Sequence, residues 1–132
     1  MNNAAPLLLA LLCASTHGAD ADSSRLDGRW RAVYTTAPDA VYEMEFTRDR
    51  FHATQGEASY KGTITLDTEA DPPRIDFTIL ECECGFLNKT SEGIFRWDGE
   101  VIELRAPQPG DPRPTKFDAK SGETMRLARE GD

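Results

Sequence analysis

The sequence has few of the side chains from which hydrolytic and metal sites are built. Its 132 residues include two histidines and three cysteines, and no Gly-x-Ser-x-Gly motif occurs among them. A Ser-His-Asp or Cys-His enzyme needs a histidine base beside its nucleophile, and tetrahedral zinc needs about four ligands. We therefore expect no catalytic residues, no metal site and no cofactor.

The chain also lacks an apolar run long enough to cross a bilayer. The longest, from Ala4 to Leu12, has about nine residues, against roughly 18 to 20 for a membrane helix. Small and polar residues follow it as far as Ala21, which is the pattern of a secretory signal peptide. We predict a signal peptide over residues 1–21, with export to the periplasm or the cell exterior and no membrane span. Cys13 follows a leucine rather than a small residue, so ordinary cleavage is favoured over lipid attachment.

Positive charge is scarce in this chain. The 15 lysines and arginines are outnumbered by 23 acidic residues, which gives a net charge of −8. An acidic surface without a basic run repels phosphate backbones and anionic lipids, so we expect no nucleic-acid partner. The roughly 110 residues behind the leader suffice for one core but not two. We predict a flexible N-terminus over residues 22–27 and one domain over residues 28–130, as a monomer.

Hydrophobic and polar side chains alternate through most of this domain. A period of two is typical of strands that bury one face and expose the other. No segment has a helical period long enough for a crossover helix, so the pattern predicts an all-β fold, a single antiparallel eight-stranded barrel that closes to remove its edges. The eight predicted strand segments begin at Trp30, Tyr42, Phe51, Tyr60, Ile75, Ile94, Val101 and Met125. We take Thr35–Ala40 as the connection between the first two.

Three stretches of this domain resemble a bacterial family of small exported domains that is abundant in Planctomycetes and described as lipocalin-like. They are Asp27–Val33, Gly62–Phe77 and Gly93–Phe117, the last ending in an Arg-Pro-Thr-x-Phe loop. The resemblance implies a lipocalin-like, calycin-type barrel and export. It implies no enzymatic activity, because the family's members have no agreed activity or catalytic residues.

The resemblance also implies a structural role for the first strand. In lipocalin-like barrels a glycine, here Gly28, lets the chain turn across the closed end, and a tryptophan, here Trp30, plugs it. An arginine from the last strand lies over the indole, and Arg126 and Arg129 are the two candidates here. The alternative interpretation is that Trp30 is an ordinary core aromatic.

Cys82 and Cys84 are the one pair of neighbouring side chains in the sequence whose chemistry suits a disulfide, a metal site or redox reactions. Residues two apart in a straight strand lie about 6.5 to 7 Å apart at Cα, the upper limit for a disulfide, but a turn at Gly85 brings them closer. Glu81 and Glu83 disfavour a thiolate, which argues against redox chemistry. A disulfide, unpaired loop thiols, a two-thiolate copper(I) site and, least favoured, redox chemistry remain open as alternatives.

Other titratable residues fall on outward-facing phases. His52 is out of phase with its apolar neighbours, which predicts the outer face rather than the position of a catalytic base. Glu43 and Glu45 lie on the polar face of their strand, and Glu100 and Glu103 flank a hairpin strand. Strand alternation therefore explains these acids without acid–base catalysis.

Two hypotheses for the function follow. The first is a carrier of a small apolar ligand, because an eight-stranded barrel is near the size at which side chains fill the interior or leave room for one ligand. The second is a protein-interaction or protease-inhibitor-like module that acts through loops 81–88 and 106–116. The predicted ligand-contacting residues all have inward phase: Tyr42, Met44, Phe46, Tyr60, Ile64, Ile75, Phe77 and Leu104.

Overall fold

The computed structural model describes residues 24–117 and 124–130. These residues form eight β-strands and a single helical turn at 24–26. The predicted signal peptide, with Cys13, lies outside them. The strands are β1 (Gly28–Tyr34), β2 (Ala37–Thr47), β3 (Arg50–Gln55), β4 (Ala58–Asp67), β5 (Arg74–Cys82), β6 (Thr90–Asp98), β7 (Val101–Arg105) and β8 (Thr124–Arg129).

The strands form a closed barrel in which each pairs antiparallel with its neighbours in sequence. β1 closes the barrel by pairing with β8, with Trp30 opposite Arg129 and Tyr34 opposite Met125. Closure leaves no sheet edge exposed over the paired length, which is how antiparallel proteins avoid edge-to-edge association. The prediction of an all-β, closed, eight-stranded antiparallel barrel is confirmed, and the architecture is consistent with a lipocalin-like barrel. No helix among the described residues is long and apolar enough to span a membrane.

One predicted boundary was wrong. The connection that we expected over Thr35–Ala40 is only a two-residue turn, and β2 starts at Ala37. The register shifts between Val33 and Tyr34, so that Tyr34 pairs directly with Ala37. This irregularity lets β2 extend through a segment whose proline and aspartate favour a turn on sequence grounds.

The barrel has one closed and one open end. Gly28 and Arg129 lie at the closed end, with the β2–β3, β4–β5 and β6–β7 connections. The open end carries the turn after β1, the β3–β4 turn and two longer loops, 83–89 and the chain after β7. Loop length therefore differs between the two ends, and in barrels the end with the long loops is where ligands usually enter.

The closed end is plugged by the residues just before β1. Leu26 is 1% exposed and belongs to the main core, and the Trp30 indole N–H donates to the Leu26 carbonyl over 2.7 Å. Arg48 N–H donates to the Asp27 carboxylate at 2.7 Å. Within the N-terminal segment predicted over 22–27, Leu26 is buried in the barrel and Asp27 is half-buried, whereas Ser24 and Arg25 are exposed; burial of the leucine side chain stabilises this turn. Residues 22 and 23 lie outside the described part.

A glycine in β4 is required by close backbone contact. A Cβ built on Gly62 would lie 1.8 Å from the Thr78 carbonyl oxygen, where β4 and β5 are bulged against each other between Lys61 and Gly62. No side chain fits at that distance, so the bulge requires a glycine at this position.

Candidate functional site

A cavity of about 320 Å³ occupies the open half of the barrel. This volume is at the lower end of the range for small-molecule sites, about 300 to 1,000 Å³. Its lining comes from the inward faces of all eight strands and from both long loops: Tyr34, Tyr42, Met44, Phe51, Ala53, Tyr60, Phe77, Ile79, Phe86, Ser91, Leu104, Ala106, Pro107, Gln108, Pro109 and Met125. Among the described residues that line it, none carries a formal charge.

The cavity gathers every tyrosine of the chain. The sequence contains three tyrosines, and Tyr34, Tyr42 and Tyr60 all line this space. The rings of Tyr34 and Tyr42 meet edge to face, with centroids 5.8 Å apart. Burial, and then the nearby Tyr60, raise the pKa of Tyr42 above its ordinary value. The Tyr42 phenol is therefore held as a neutral group that can both donate and accept a hydrogen bond.

Five of the eight predicted ligand-contacting residues line the cavity. These are Tyr42, Met44, Tyr60, Phe77 and Leu104. Their inward phase places them inside the barrel, and their position along each strand places them in its open half.

The other three predictions are corrected. Phe46, Ile64 and Ile75 are between 2% and 5% exposed, belong to the packed core, and do not line the cavity. Alternation tells which side chains point inward, but not how far along the barrel axis the packed core extends. Here the closed half is filled, since Phe46 packs on Phe77 with ring centroids 6.4 Å apart.

Several lining residues were not predicted as ligand contacts. Tyr34, Phe51 and Ile79 share the inward phase of their strands, so periodicity alone was sufficient to find them. Phe86 lies in a loop, where no period exists. Pro107 lies in the chain after β7, and its place at the cavity depends on tertiary contacts described below.

The Cys82–Cys84 pair is a disulfide in this structure, with Cα atoms 5.3 Å apart. Both residues and Phe86 pack against the core, and the Phe86 N–H donates to Cys84 Sγ at 3.4 Å. The disulfide ring therefore sets the start of loop 83–89 and holds an aromatic ring at the cavity. Of the alternatives left open by the sequence, a disulfide occupies both sulfurs, and no group of three or more metal-ligating residues occurs among the described positions.

The loop after β7 forms one wall of the cavity and is fastened to the barrel. We call residues 106–117 the strap. The buried Ser91 hydroxyl donates to the Pro107 carbonyl at 2.5 Å, next to the cavity. Further along, Arg113 donates to the Asp76 carboxylate at 2.7 Å and to the Gly93 carbonyl at 2.8 Å.

The outer side of the strap is anchored by charge. The hydrogen bond to Asp76 raises the pKa of Arg113 above its usual value, and Glu92 lies 3.6 Å from the same guanidinium. The Arg96 guanidinium stacks 4.4 Å from the Phe117 ring centroid. Ile94 of β6 is 1% exposed although it lies outside the main core, which indicates that the strap covers this part of the outer face.

Arginines stack on both tryptophans at the closed end. Arg129 lies 4.2 Å from the Trp30 ring centroid and donates to the Asp27 carbonyl at 2.6 Å. Arg25 lies 3.5 Å from the Trp97 centroid, and the two indoles are 6.0 Å apart. Of the two arginines proposed for the indole of Trp30, Arg129 is the one that covers it.

The other candidate, Arg126, has a different role. It pairs with Glu103 at 2.9 Å and with Asp98 at 3.2 Å, because its phase on β8 differs from that of Arg129. Glu103 also accepts a hydrogen bond from Arg96 at 2.5 Å. Its side chain is only 16% exposed, so this acid is an ion-paired residue on the outer wall of the barrel.

The single histidine in the described part of the chain lies away from the cavity. His52 Nε2 is 3.0 Å from the Ser59 hydroxyl, and Glu45 is its cross-strand neighbour. It does not line the cavity, so the site holds no imidazole from the described residues.

A second, more polar groove of about 770 Å³ lies beside the cavity mouth. Tyr60 lines both spaces. The groove also contains Glu57, Glu81 and Glu83, with Lys61 as the one cation among the residues that line it. The surroundings of the mouth are thus acidic on this side.

No known family model matches the chain, and neither do curated proteins or solved structures.

Proposed function

We propose that the protein is an exported, non-enzymatic β-barrel that binds one small, mainly apolar ligand in the cavity at its open end. The observation that carries this proposal is the cavity of about 320 Å³ lined by uncharged, mostly apolar side chains. Packed protein interiors contain few voids larger than a water molecule, so a space of this size in a small domain favours a binding site. Export is supported by the signal-peptide pattern of residues 1–21 and by the sequence resemblance to exported Planctomycete domains.

The lining has the composition of a binding site rather than of a packing defect. Proline and the disulfide-bonded loop stiffen its rim, so little conformational entropy is lost when a ligand enters. Phenol, serine and glutamine groups supply a few hydrogen-bonding positions within an apolar wall, which is the usual chemistry of small-molecule pockets. The described lining residues provide no charged nucleophile or base, which supports a carrier over an enzyme.

Native mass spectrometry of protein purified from its own compartment tests the proposal directly. We expect a bound mass that is released on denaturation, and Nile red binding to the emptied protein. In Ala53→Phe the new ring occupies the cavity and dye binding is lost. Ala128→Phe is the matched control, because Ala128 is an exposed alanine on β8. A featureless apo mass together with equal dye response in both variants would overturn the proposal.

A second candidate is a protein-interaction module that uses loop 81–88. Leu87 is 49% exposed and lines the acidic groove, which suits a basic segment carrying an apolar side chain. The other loop of this hypothesis, 106–116, belongs to the strap and is held on the barrel by Arg113. A pull-down from periplasmic extract with wild type and Leu87→Glu tests the idea, and equal recovery of every captured protein by both forms would count against it.

A further inference from the structure

The charges around the cavity disfavour an anionic ligand. The described lining residues carry no positive charge, and the adjoining groove presents Glu57, Glu81 and Glu83. The chain as a whole carries a net charge of −8. A carboxylate entering this site would lose its hydration and find no cationic partner, which is costly in an apolar environment. The same field attracts a cation toward the mouth.

Aromatic rings supply what a desolvated cation needs inside the cavity. Six of the lining side chains are aromatic: Tyr34, Tyr42, Tyr60, Phe51, Phe77 and Phe86. Two pairs stand nearly perpendicular, Tyr34 with Tyr42 at 83° and Phe51 with Phe77 at 86°, so the walls form two aromatic corners. The face of an aromatic ring is the negative end of its quadrupole and attracts cations within about 6 Å.

The type of cation follows from the hydrogen-bonding groups. A primary ammonium is strongly hydrated and brings three N–H donors that need acceptors. The described lining has no carboxylate, and its polar side chains are the three phenols, Ser91 and Gln108, of which Ser91 already donates to Pro107. A quaternary ammonium brings no N–H donor and keeps its apolar surface against the rings. Met44 and Met125 add polarizable sulfur to the same wall.

We propose that the ligand is a lipophilic organic cation, a quaternary ammonium group on an apolar body, held by the aromatic walls of the cavity. This inference rests on the proposed function and specifies the ligand class of the same site.

Three probes of matched shape test it. The cation is 3-hydroxyphenyltrimethylammonium, its neutral isostere is 3-tert-butylphenol, and the anion is 3-tert-butylbenzoate. We expect calorimetry on the full mature chain to give a dissociation constant about 2- to 30-fold lower for the cation than for the neutral isostere, with the anion weakest. Methyl-labelled methionine places the probe, because ring currents shift the Met44 and Met125 signals when an aromatic ligand enters the cavity.

Two substitutions at Tyr42 distinguish the contribution of the aromatic ring to cation binding from that of its hydroxyl group. Tyr42→Leu removes an aromatic face, so we expect it to lower affinity for the cation by about 2- to 30-fold while changing affinity for the neutral isostere much less. Tyr42→Phe keeps the face and is expected to keep the preference for the cation. Phe86→Leu, in a loop rather than a strand, repeats the test at a position where folding is less at risk.

The outcomes distinguish the two levels of the proposal. Equal or tighter binding of 3-tert-butylphenol overturns the organic-cation inference and leaves a small-ligand carrier standing. Binding of no probe, together with a featureless native mass, overturns the carrier as well. If the cation binds without shifting the two methionine methyl signals, it binds outside the cavity and the inference is overturned. The same follows if Tyr42→Leu and Phe86→Leu both bind the cation with wild-type affinity.

Discussion

Replacing Leu26 by alanine tests the plug at the closed end. Leu26 lies only two residues before β1 and is 1% exposed. In a flexible N-terminal segment the same side chain would be exposed to water. The substitution keeps the backbone carbonyl that accepts the Trp30 indole N–H. It therefore removes apolar packing and no hydrogen bond.

The expected cost follows from the lost apolar group. Three buried carbons at about 0.8 kcal/mol each give about 2.4 kcal/mol, and an unfilled cavity raises the loss in the free energy of unfolding toward about 4 kcal/mol. For a domain of this size the melting temperature falls by roughly 4 °C per kcal/mol, hence by about 10 to 16 °C.

Urea denaturation followed by far-UV circular dichroism measures this loss over the whole barrel. Leu87→Ala is the matched control: the same substitution at a leucine that is 49% exposed, where we expect less than about 0.5 kcal/mol. If Leu26→Ala costs no more than Leu87→Ala, the plug does not contribute to the folded state and the argument from its burial is wrong.

Three further results are expected. Cys82→Ser with Cys84→Ser opens a ring of three residues and lowers the free energy of unfolding by about 1.6 kcal/mol on loop-closure grounds; an unchanged urea midpoint contradicts this. The raised pKa of Tyr42 means that the folded protein favours the neutral phenol, so stability is full below the unfolded pKa of about 10 and falls as pH rises through the folded pKa. Urea titrations across that pH range should show that the free energy of unfolding falls less steeply with pH in Tyr42→Phe than in the wild type. Identical slopes in the two proteins would refute the raised pKa of Tyr42. Gly62→Ala should give insoluble or unfolded protein, because its Cβ has no room, whereas Gly85→Ala, with open space around it, should fold; soluble expression and circular dichroism decide between them.

The barrel was predictable from sequence because one physical rule repeats along it. Trp30, Phe77 and Leu104 each fall on a period of two, and an antiparallel sheet that buries one face produces that period. The start of β2 was not predictable, because Pro38 and Asp39 favour a turn and only the pairing of Tyr34 with Ala37 extends the strand. Local preference there is overridden by tertiary pairing.

The site was predictable only in part, for a related reason. The alternation identified Tyr42 and Tyr60 as inward-facing, but it does not show where along the barrel axis the packed core ends and the cavity begins. The wall formed by the strap depends on a contact between Arg113 and Asp76, which are 37 positions apart. Such pairs carry no local signal in a single sequence.

The pairing of β1 with β8 brings the first and the last strand of the barrel together. Trp30 lies opposite Arg129, so the chain enters and leaves at the closed end, while the cavity opens at the opposite pole. A domain fused directly before Ser24 or directly after Glu130 would therefore start at the closed end, about one strand length from the mouth. New termini made in an open-end turn would instead place a fused domain beside the mouth.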